Sequence, residues 1–120
     1  MTNPGNRDST ELRPERFRCE VTHGHSSALV ALHGELDLAT VDEVDDTLRT
    51  LATTKRRVIL DLRGLRFLDS SGLRLIVEID ALVRRDGCNF TLVRGPDTVQ
   101  RLFVITGLDS HLVFVDARRT

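Results

Sequence analysis

The 120-residue sequence contains no tryptophan and no tyrosine, and its only aromatic rings besides histidine are those of five phenylalanines. Because single-stranded nucleic acids are commonly held by stacking on aromatic side chains, this composition disfavours that class of function. The formal net charge is -1, so no excess of positive charge attracts nucleic acid or an anionic membrane over a distance. We therefore expect neither direct nucleic acid binding nor membrane binding.

Long apolar runs and cysteines are also scarce. No segment approaches the roughly 18 consecutive apolar residues that cross a bilayer. The first 16 residues are polar and lack the apolar centre of a signal peptide, so we predict a cytoplasmic protein. Cys19 and Cys88 are too few and too far apart in sequence for a disulfide framework. We expect both cysteines to be reduced and partly buried.

The length and a hydrophobic fraction of 40% suit one packed domain. Residues 1–16 are rich in Pro, Gly, Asn, Ser and charged residues, and they cannot bury enough apolar surface to offset the entropy lost on ordering. We predict that residues 1–16 form a flexible N-terminal tail. The domain is predicted to cover residues 17–120.

Strand and helix patterns alternate along the domain, which opens with two strands that form a β-hairpin. The residues Thr40 and Glu43 match a capping box at the start of the first helix, and Pro96 suits the first position of the last helix. We predict an α/β fold, a mixed β-sheet faced by helices. The predicted strands cover about 17–22, 29–34, 58–62, 90–93 and 113–115, and the predicted helices begin near 40, 71 and 96.

Unusually placed polar residues concentrate in two loops, Gly34–Thr40 and Phe67–Leu73. Each follows a predicted strand and precedes a helix, which is where open α/β sheets place functional groups. In the second loop, Asp69, Ser70 and Ser71 meet the start of a helix, where backbone N–H groups lack partners. One interpretation is helix capping by Asp69 or Ser70. The other is a phosphoacceptor serine whose phosphate lies near those amides, and the two are compatible.

Other chemistry is poorly supported by the sequence. Ser70 lacks the G-x-S-x-G context of a hydrolase nucleophile and has no evident histidine base, so we expect no catalytic residue and no enzyme activity. The pair His23 and His25 lacks a third ligand, so we expect a solvated turn and no metal. No glycine loop that cradles phosphate is present, and we expect no cofactor. The basic runs 55–57 and 84–85 are typical of solvated ends of secondary-structure elements.

Four segments follow one another within roughly residues 17–116. They are Gly34-Glu-Leu-Asp37, Asp61-Leu62, Phe67-Leu-Asp-Ser-Ser-Gly-Leu73 and Arg101-Leu-Phe-x-x-Thr-Gly-Leu108. In this order they resemble the STAS-domain anti-sigma factor antagonists of bacteria. The resemblance implies a mixed sheet faced by helices, and it implies a regulatory binding protein.

The resemblance also implies a cycle. The unphosphorylated antagonist binds an anti-sigma factor serine kinase and releases a sigma factor; the kinase then phosphorylates the antagonist, and a PPM-type phosphatase reverses the reaction. The family's phosphorylated serine falls on Ser70, and the acids beside it fall on Asp69 and Asp37. An alternative is a STAS signalling module in a kinase–phosphatase pathway without a sigma factor. The expected partner-binding residues are Glu35, Asp37, Asp69, Ser71, Gly72 and Leu73.

Overall fold

The computed structural model describes residues 17–117. The predicted N-terminal tail over residues 1–16 lies outside the described residues, as do residues 118–120. Strands and helices alternate after an opening hairpin, and a 3-10 turn at Leu108–Ser110 precedes the last strand. In chain order the elements are β1 Arg18–His23, β2 Ser27–Leu36, α1 Val41–Ala52, β3 Arg57–Leu68, α2 Ser70–Arg85, β4 Asn89–Val93, α3 Asp97–Ile105 and β5 Phe114–Val115.

The five strands form one mixed sheet in the order β1-β2-β3-β4-β5. Strands β1 and β2 pair antiparallel, and every later pair is parallel. The predicted α/β fold with an opening hairpin is therefore confirmed. Because β2, β3 and β4 run in the same direction, the segments that follow them leave the sheet at one edge, which we call the carboxyl edge.

All three helices pack on one face of the sheet. Alternate residues of β2, β3 and β4 on that face are fully buried, and apolar residues of α1 and α2 join them in one core cluster. For α3, the Phe103 ring lies 5.1 Å from that of Phe114, whose register neighbour is the core residue Leu92. Each fully buried side chain of this size contributes about 1.5–3 kcal/mol relative to an exposed one.

Strand β3 runs to Leu68, six residues beyond the predicted end at Leu62, so Phe67 and Leu68 belong to a strand and not to a loop. The charged residues Arg63 and Arg66 look like the start of a loop in the sequence. The pairing with β2 is irregular between Ala31 and His33 and again between Gly34 and Glu35. These register shifts return Leu65 and Leu68 to the core face, while both arginines stay exposed.

Two helix starts differ from the prediction. The side chain of Thr40 makes no capping hydrogen bond to α1, so the predicted capping box is wrong. Pro96 is the N-cap of α3 and not its first helical residue, because its carbonyl already accepts from Val99 and Gln100 while its backbone stays extended. No helix within residues 17–117 has the length and apolar character needed to cross a bilayer.

Candidate functional site

The two polar loops meet at the carboxyl edge, as the sequence predicts. Leu36 at the end of β2 pairs in register with Leu68 at the end of β3. The amide of Asp69 then donates to the Leu36 carbonyl oxygen at 3.2 Å. Since Asp37 and Asp69 directly follow these paired leucines, the sheet brings the two carboxylate-bearing segments side by side.

Asp69 caps α2, which confirms one of the two capping alternatives. Its backbone is extended (φ -106°, ψ -174°), and its Oδ1 accepts from the amides of Ser71 at 2.9 Å and Gly72 at 3.1 Å. Its carbonyl oxygen accepts from the amide of Leu73 at 3.1 Å. The expectation that a phosphate would find the first-turn amides unpaired is therefore wrong for Ser71 and Gly72, because the Asp69 carboxylate already accepts from both of them.

Ser70 is the first residue of α2 and is exposed. Its side chain makes no hydrogen bond or ion pair with any residue from 17 to 117. Ser71, in contrast, is half-buried and lines a cavity of about 240 Å³ between α1 and α2. Of the two serines, Ser70 presents the more accessible hydroxyl.

Gly72 allows the first turn of α2 to approach the strand ends closely. A Cβ atom at this position would lie 2.4 Å from Leu68 Cδ1 and 3.0 Å from Leu36 Cγ. Both leucines are buried, so neither can move aside without disturbing the core. The glycine therefore fixes how deeply the Ser70 end of the helix sits on the sheet.

The loop between β2 and α1 is held by its own polar groups. The Asp37 Oδ1 accepts from the amide of Ala39 at 3.0 Å. The Thr40 hydroxyl donates to the Glu35 carbonyl oxygen at 2.9 Å and accepts from the Asp37 amide at 3.0 Å. Because these two bonds direct the Thr40 hydroxyl back into the loop, it makes no capping hydrogen bond to α1.

Leu38 lies at the tip of this loop with 77% of its surface exposed. It lines the same cavity as Ser71 and Arg74. Sequence reasoning did not select Leu38, since a leucine is ordinarily assigned to the core. Phe67, next to the last residue of β3, is also exposed, so apolar side chains lie among the polar groups at this edge.

Negative charge dominates around this edge. Glu35 and Arg66 form an exposed ion pair at 3.3 Å, and such exposed pairs contribute little to stability. Asp45 is paired with Arg49 at 2.8 Å. The first two turns of α1 and the two loops together carry seven acids, which are Glu35, Asp37, Asp42, Glu43, Asp45, Asp46 and Asp69.

The remaining polar residues singled out in the sequence lie elsewhere. His23 and His25 are exposed at the hairpin turn, beside the amino end of β2 and away from Ser70. His33 contacts Glu20 at 3.3 Å across β1 and β2. Among the described residues, no three histidine, cysteine or carboxylate side chains are grouped as metal ligands. Burial raises the pKa of the Cys19 and Cys88 thiols.

The sequence profile of the STAS domain family matches residues 17–119. An anti-sigma-B factor antagonist of Staphylococcus aureus is 31% identical over 80 residues, which cover 66% of this chain and 74% of that protein. Osmosensory protein A of Mycobacterium tuberculosis is 28% identical over 78 residues, covering 65% of this chain. The match spans 49% of the length of that relative.

Solved structures show the same fold. The unphosphorylated form of the anti-sigma factor antagonist SpoIIAA is 22% identical with a TM-score of 0.71, and the match covers 87% of this chain and 91% of that one. The phosphorylated form of the Bacillus protein gives 21% identity and a TM-score of 0.66, covering 87% and 95%. The chain therefore belongs to the STAS domain family, and bacterial anti-sigma factor antagonists are among the relatives that match it in sequence and in fold.

Proposed function

We propose that this chain is an anti-sigma factor antagonist that works as a phosphorylation-controlled binding switch. The form unphosphorylated at Ser70 binds an anti-sigma factor serine kinase, and a sigma factor is released. Phosphorylation of Ser70 ends the interaction, and a PPM-type phosphatase restores it. The observation that carries the proposal is the exposed hydroxyl of Ser70 at the start of α2, which bonds to no residue from 17 to 117, in a chain of this family.

The geometry suits a kinase substrate. A kinase must bring the serine hydroxyl to the γ-phosphate of ATP, and Ser70 can be reached because it is exposed. Its phosphorylation breaks no hydrogen bond within residues 17–117, since Asp69 and not Ser70 caps the helix. The domain is therefore expected to keep its fold in both states.

The switch arises at the interface with the partner. A phosphoryl group adds about -1.5 to -2 charges at neutral pH. It is placed next to Asp69, whose carboxylate already uses the nearby amides. A partner surface fitted to a neutral hydroxyl must then desolvate a dianion beside an acid, which costs several kcal/mol. Since about 1.4 kcal/mol is tenfold in affinity, a loss of 100-fold or more is expected.

The proposed recognition surface extends from Ser70 over both loops. Asp37 and Asp69 supply charge, while Gly72 sets the depth of the helix start. Asn in place of either acid keeps a side-chain oxygen acceptor but removes the charge. We expect Asp37→Asn and Asp69→Asn to weaken kinase binding while the domain stays folded, and unchanged binding would remove that acid from the surface. The full proposed set is Glu35, Asp37, Asp69, Ser71, Gly72 and Leu73.

The proposed role is regulatory binding in the cytoplasm and not catalysis. The partners are the serine kinase and the phosphatase, with no direct contact to nucleic acid or membrane. The relatives named anti-sigma-B factor antagonist support this role.

A second candidate is a STAS signalling module in a kinase–phosphatase pathway without a sigma factor. Its support is the 28% identical relative whose name refers to osmosensing. Affinity capture with the unphosphorylated chain separates the two. Recovery of a kinase that itself binds a sigma factor favours the antagonist, and recovery of a kinase without that property favours the alternative.

The direct test is phosphorylation with a purified serine kinase of the anti-sigma factor class and ATP, followed by mass spectrometry of the peptides. We expect one phosphate on Ser70, full loss of labelling in Ser70→Ala and retained labelling in the matched variant Ser71→Ala. Labelling that persists in Ser70→Ala and maps to Ser71 would reassign the site. Absence of labelling in the wild-type chain by every such kinase of its host would refute the proposed function.

A further inference from the structure

The face of the sheet opposite the helices carries a row of half-buried side chains. Leu29, Ile59 and Thr91 are paired in register across β2, β3 and β4, and all three are only partly buried. Val113, which precedes β5, and Val115, within β5, extend the row on the other side of β4. Parallel strands usually have both faces covered, whereas the three helices within residues 17–117 lie on the other face.

Positive charge collects at the amino end of these strands. The basic runs 55–57 and 84–85, far apart in sequence, come together there, since Arg57 and Arg84 line one cavity. Arg84 pairs with Asp80 at 2.8 Å. The side chains of Arg56 and Arg57 form no ion pair with any residue in the described range. Within residues 17–117, no carboxylate neutralises these two charges.

A groove joins the charged rim to the apolar row. One cavity of about 360 Å³ is bordered by β4 and β5, and a second of about 440 Å³ lies toward the β1–β2 turn. Arg57, Ile59 and Asn89 line both cavities, so the two adjoin each other along these three residues. The groove therefore offers arginines at its rim and an isoleucine in its floor.

We propose that this groove is a second docking surface, for an acidic protein segment that carries leucine-like side chains. Arginine guanidinium groups pair with carboxylates through two parallel hydrogen bonds. The members of the row that line the groove, Ile59, Val113 and Val115, bury the apolar residues of the segment. The phosphates of a nucleic acid could meet the arginines, but they would leave this row uncovered, which favours a protein segment.

The proposed surface is separate from the Ser70 site. Arg57 begins β3, and Ser70 follows its end. Eleven residue steps along a strand correspond to about 35 Å. A partner segment in this groove can therefore bind while the Ser70 edge is occupied, and its binding does not depend on the phosphorylation proposed above.

The test uses the full chain and a fluorescein-labelled 12-residue peptide of Asp, Glu and Leu, followed by fluorescence anisotropy. We expect saturable binding that Arg57→Glu weakens at least tenfold. The matched control is Arg101→Glu, which makes the same charge change at an exposed position on α3 and should alter affinity less than twofold. Ile59→Thr, which keeps a β-branched side chain, should also weaken binding at least tenfold.

Two competing ligands test whether the groove prefers an acidic segment with leucines. A peptide of Asp and Glu without leucine should bind at least tenfold more weakly, and 12-nucleotide single-stranded DNA should not compete at equal concentration. Equal losses for Arg57→Glu and Arg101→Glu, effective competition by the DNA, or absence of saturable peptide binding would each overturn the proposal. Circular dichroism of each variant verifies its fold, and if Ile59→Thr is unfolded, the Arg57→Glu and leucine-free comparisons decide the result.

Discussion

The β2–α1 loop and the β3–α2 junction leave the same edge of the sheet but use their hydroxyl groups in opposite ways. The Thr40 hydroxyl both donates and accepts within its loop, to the Glu35 carbonyl and from the Asp37 amide. The Ser70 hydroxyl has no partner within residues 17–117, because Asp69 satisfies the helix start. A hydroxyl that holds the fold cannot be modified without a structural cost, whereas an unbonded hydroxyl can carry a signal.

The carboxylates of the two loops, unlike the two hydroxyls, both make hydrogen bonds within their own loops. Asp37 accepts from the Ala39 amide, and Asp69 accepts from Ser71 and Gly72. Each acid therefore stabilises its own loop, and the proposed function also gives each acid a part in recognition by the partner. Asn and Ala substitutions separate these roles, since Asn keeps an acceptor and Ala does not.

The largest expected effect on stability comes from closing the gap between the strand ends and α2. Gly72→Ala places a methyl group 2.4 Å from Leu68 Cδ1, and overpacking of this kind costs about 1–3 kcal/mol. Because 2.4 Å is far inside the normal carbon–carbon contact distance and Leu68 is buried, we expect a cost at the upper end of this range. The helix propensity of alanine returns up to about 1 kcal/mol, which leaves a net loss of about 2 kcal/mol in the free energy of unfolding. Urea denaturation measures it, with Glu78→Ala on the same helix as the control. A Gly72→Ala variant as stable as the wild type would show that the contact is relaxed easily.

The contrast between the two hydroxyls is tested by removing each. Thr40→Val keeps the shape of the side chain but leaves the Glu35 carbonyl and the Asp37 amide without this partner, and we expect a loss of about 1.5 kcal/mol. Ser70→Ala removes no bond and should change stability by less than about 0.5 kcal/mol. Parallel urea unfolding curves compare the two variants. Equal losses would contradict the division of roles between the loops.

The stability lost on substitution of Asp69 is expected to be smaller than that for Gly72 or Thr40. Asp69→Ala removes the cap of α2 and should cost about 1 kcal/mol. Asp69→Asn keeps an acceptor for the Ser71 and Gly72 amides and should cost less than half of that. Thermal unfolding of both variants gives the comparison. If the two variants lose the same stability, the charge and not the hydrogen bonds supports the helix start.

Asp61 lies in β3, outside the two loops. Its lowered pKa predicts that the stability of the fold depends on pH. Burial opposes ionisation of this carboxyl, but hydrogen bonds from the Arg63 side chain and amide, with the Arg63 charge, lower its pKa below the usual value. A lowered pKa stabilises the folded state above the unfolded pKa of about 3.9, and the contribution is lost as pH falls through the folded value.

Because Arg63 is half exposed, the Asp61–Arg63 pair is expected to contribute about 1 kcal/mol or less. Asp61→Asn should therefore be less stable than the wild type at pH 7, and the difference should shrink below about pH 4. Urea unfolding at several pH values measures it, with Arg63→Gln as the partner control. A difference that stays constant down to pH 3 would show that ionisation of Asp61 does not stabilise the fold.

The order of elements and the start of α2 were predictable because their signals are local. Alternating apolar residues define the opening strands, and Asp69 before a helical pattern is a frequent cap. The grouping of the two polar loops also followed, because parallel strands end at one edge.

Other features depended on tertiary pairing. The sequence around Thr40 fits a capping box, but the hydroxyl bonds to Glu35 and Asp37 because β2 extends to Leu36 and brings the loop back. The length of β3 depends on two irregularities in its register with β2. The exposure of Leu38 and the meeting of the basic runs in one groove likewise require the assembled sheet.

The central claim is that phosphorylation of Ser70 switches binding off without unfolding the domain. Isothermal calorimetry of phosphorylated and unphosphorylated chain against the partner kinase, with melting curves of both forms, tests it most directly. We predict a loss of at least 100-fold in affinity and a change of only about 1 kcal/mol or less in stability. Equal affinities would contradict the switch, and a collapsed melting transition of the phosphorylated chain would show that it acts by unfolding.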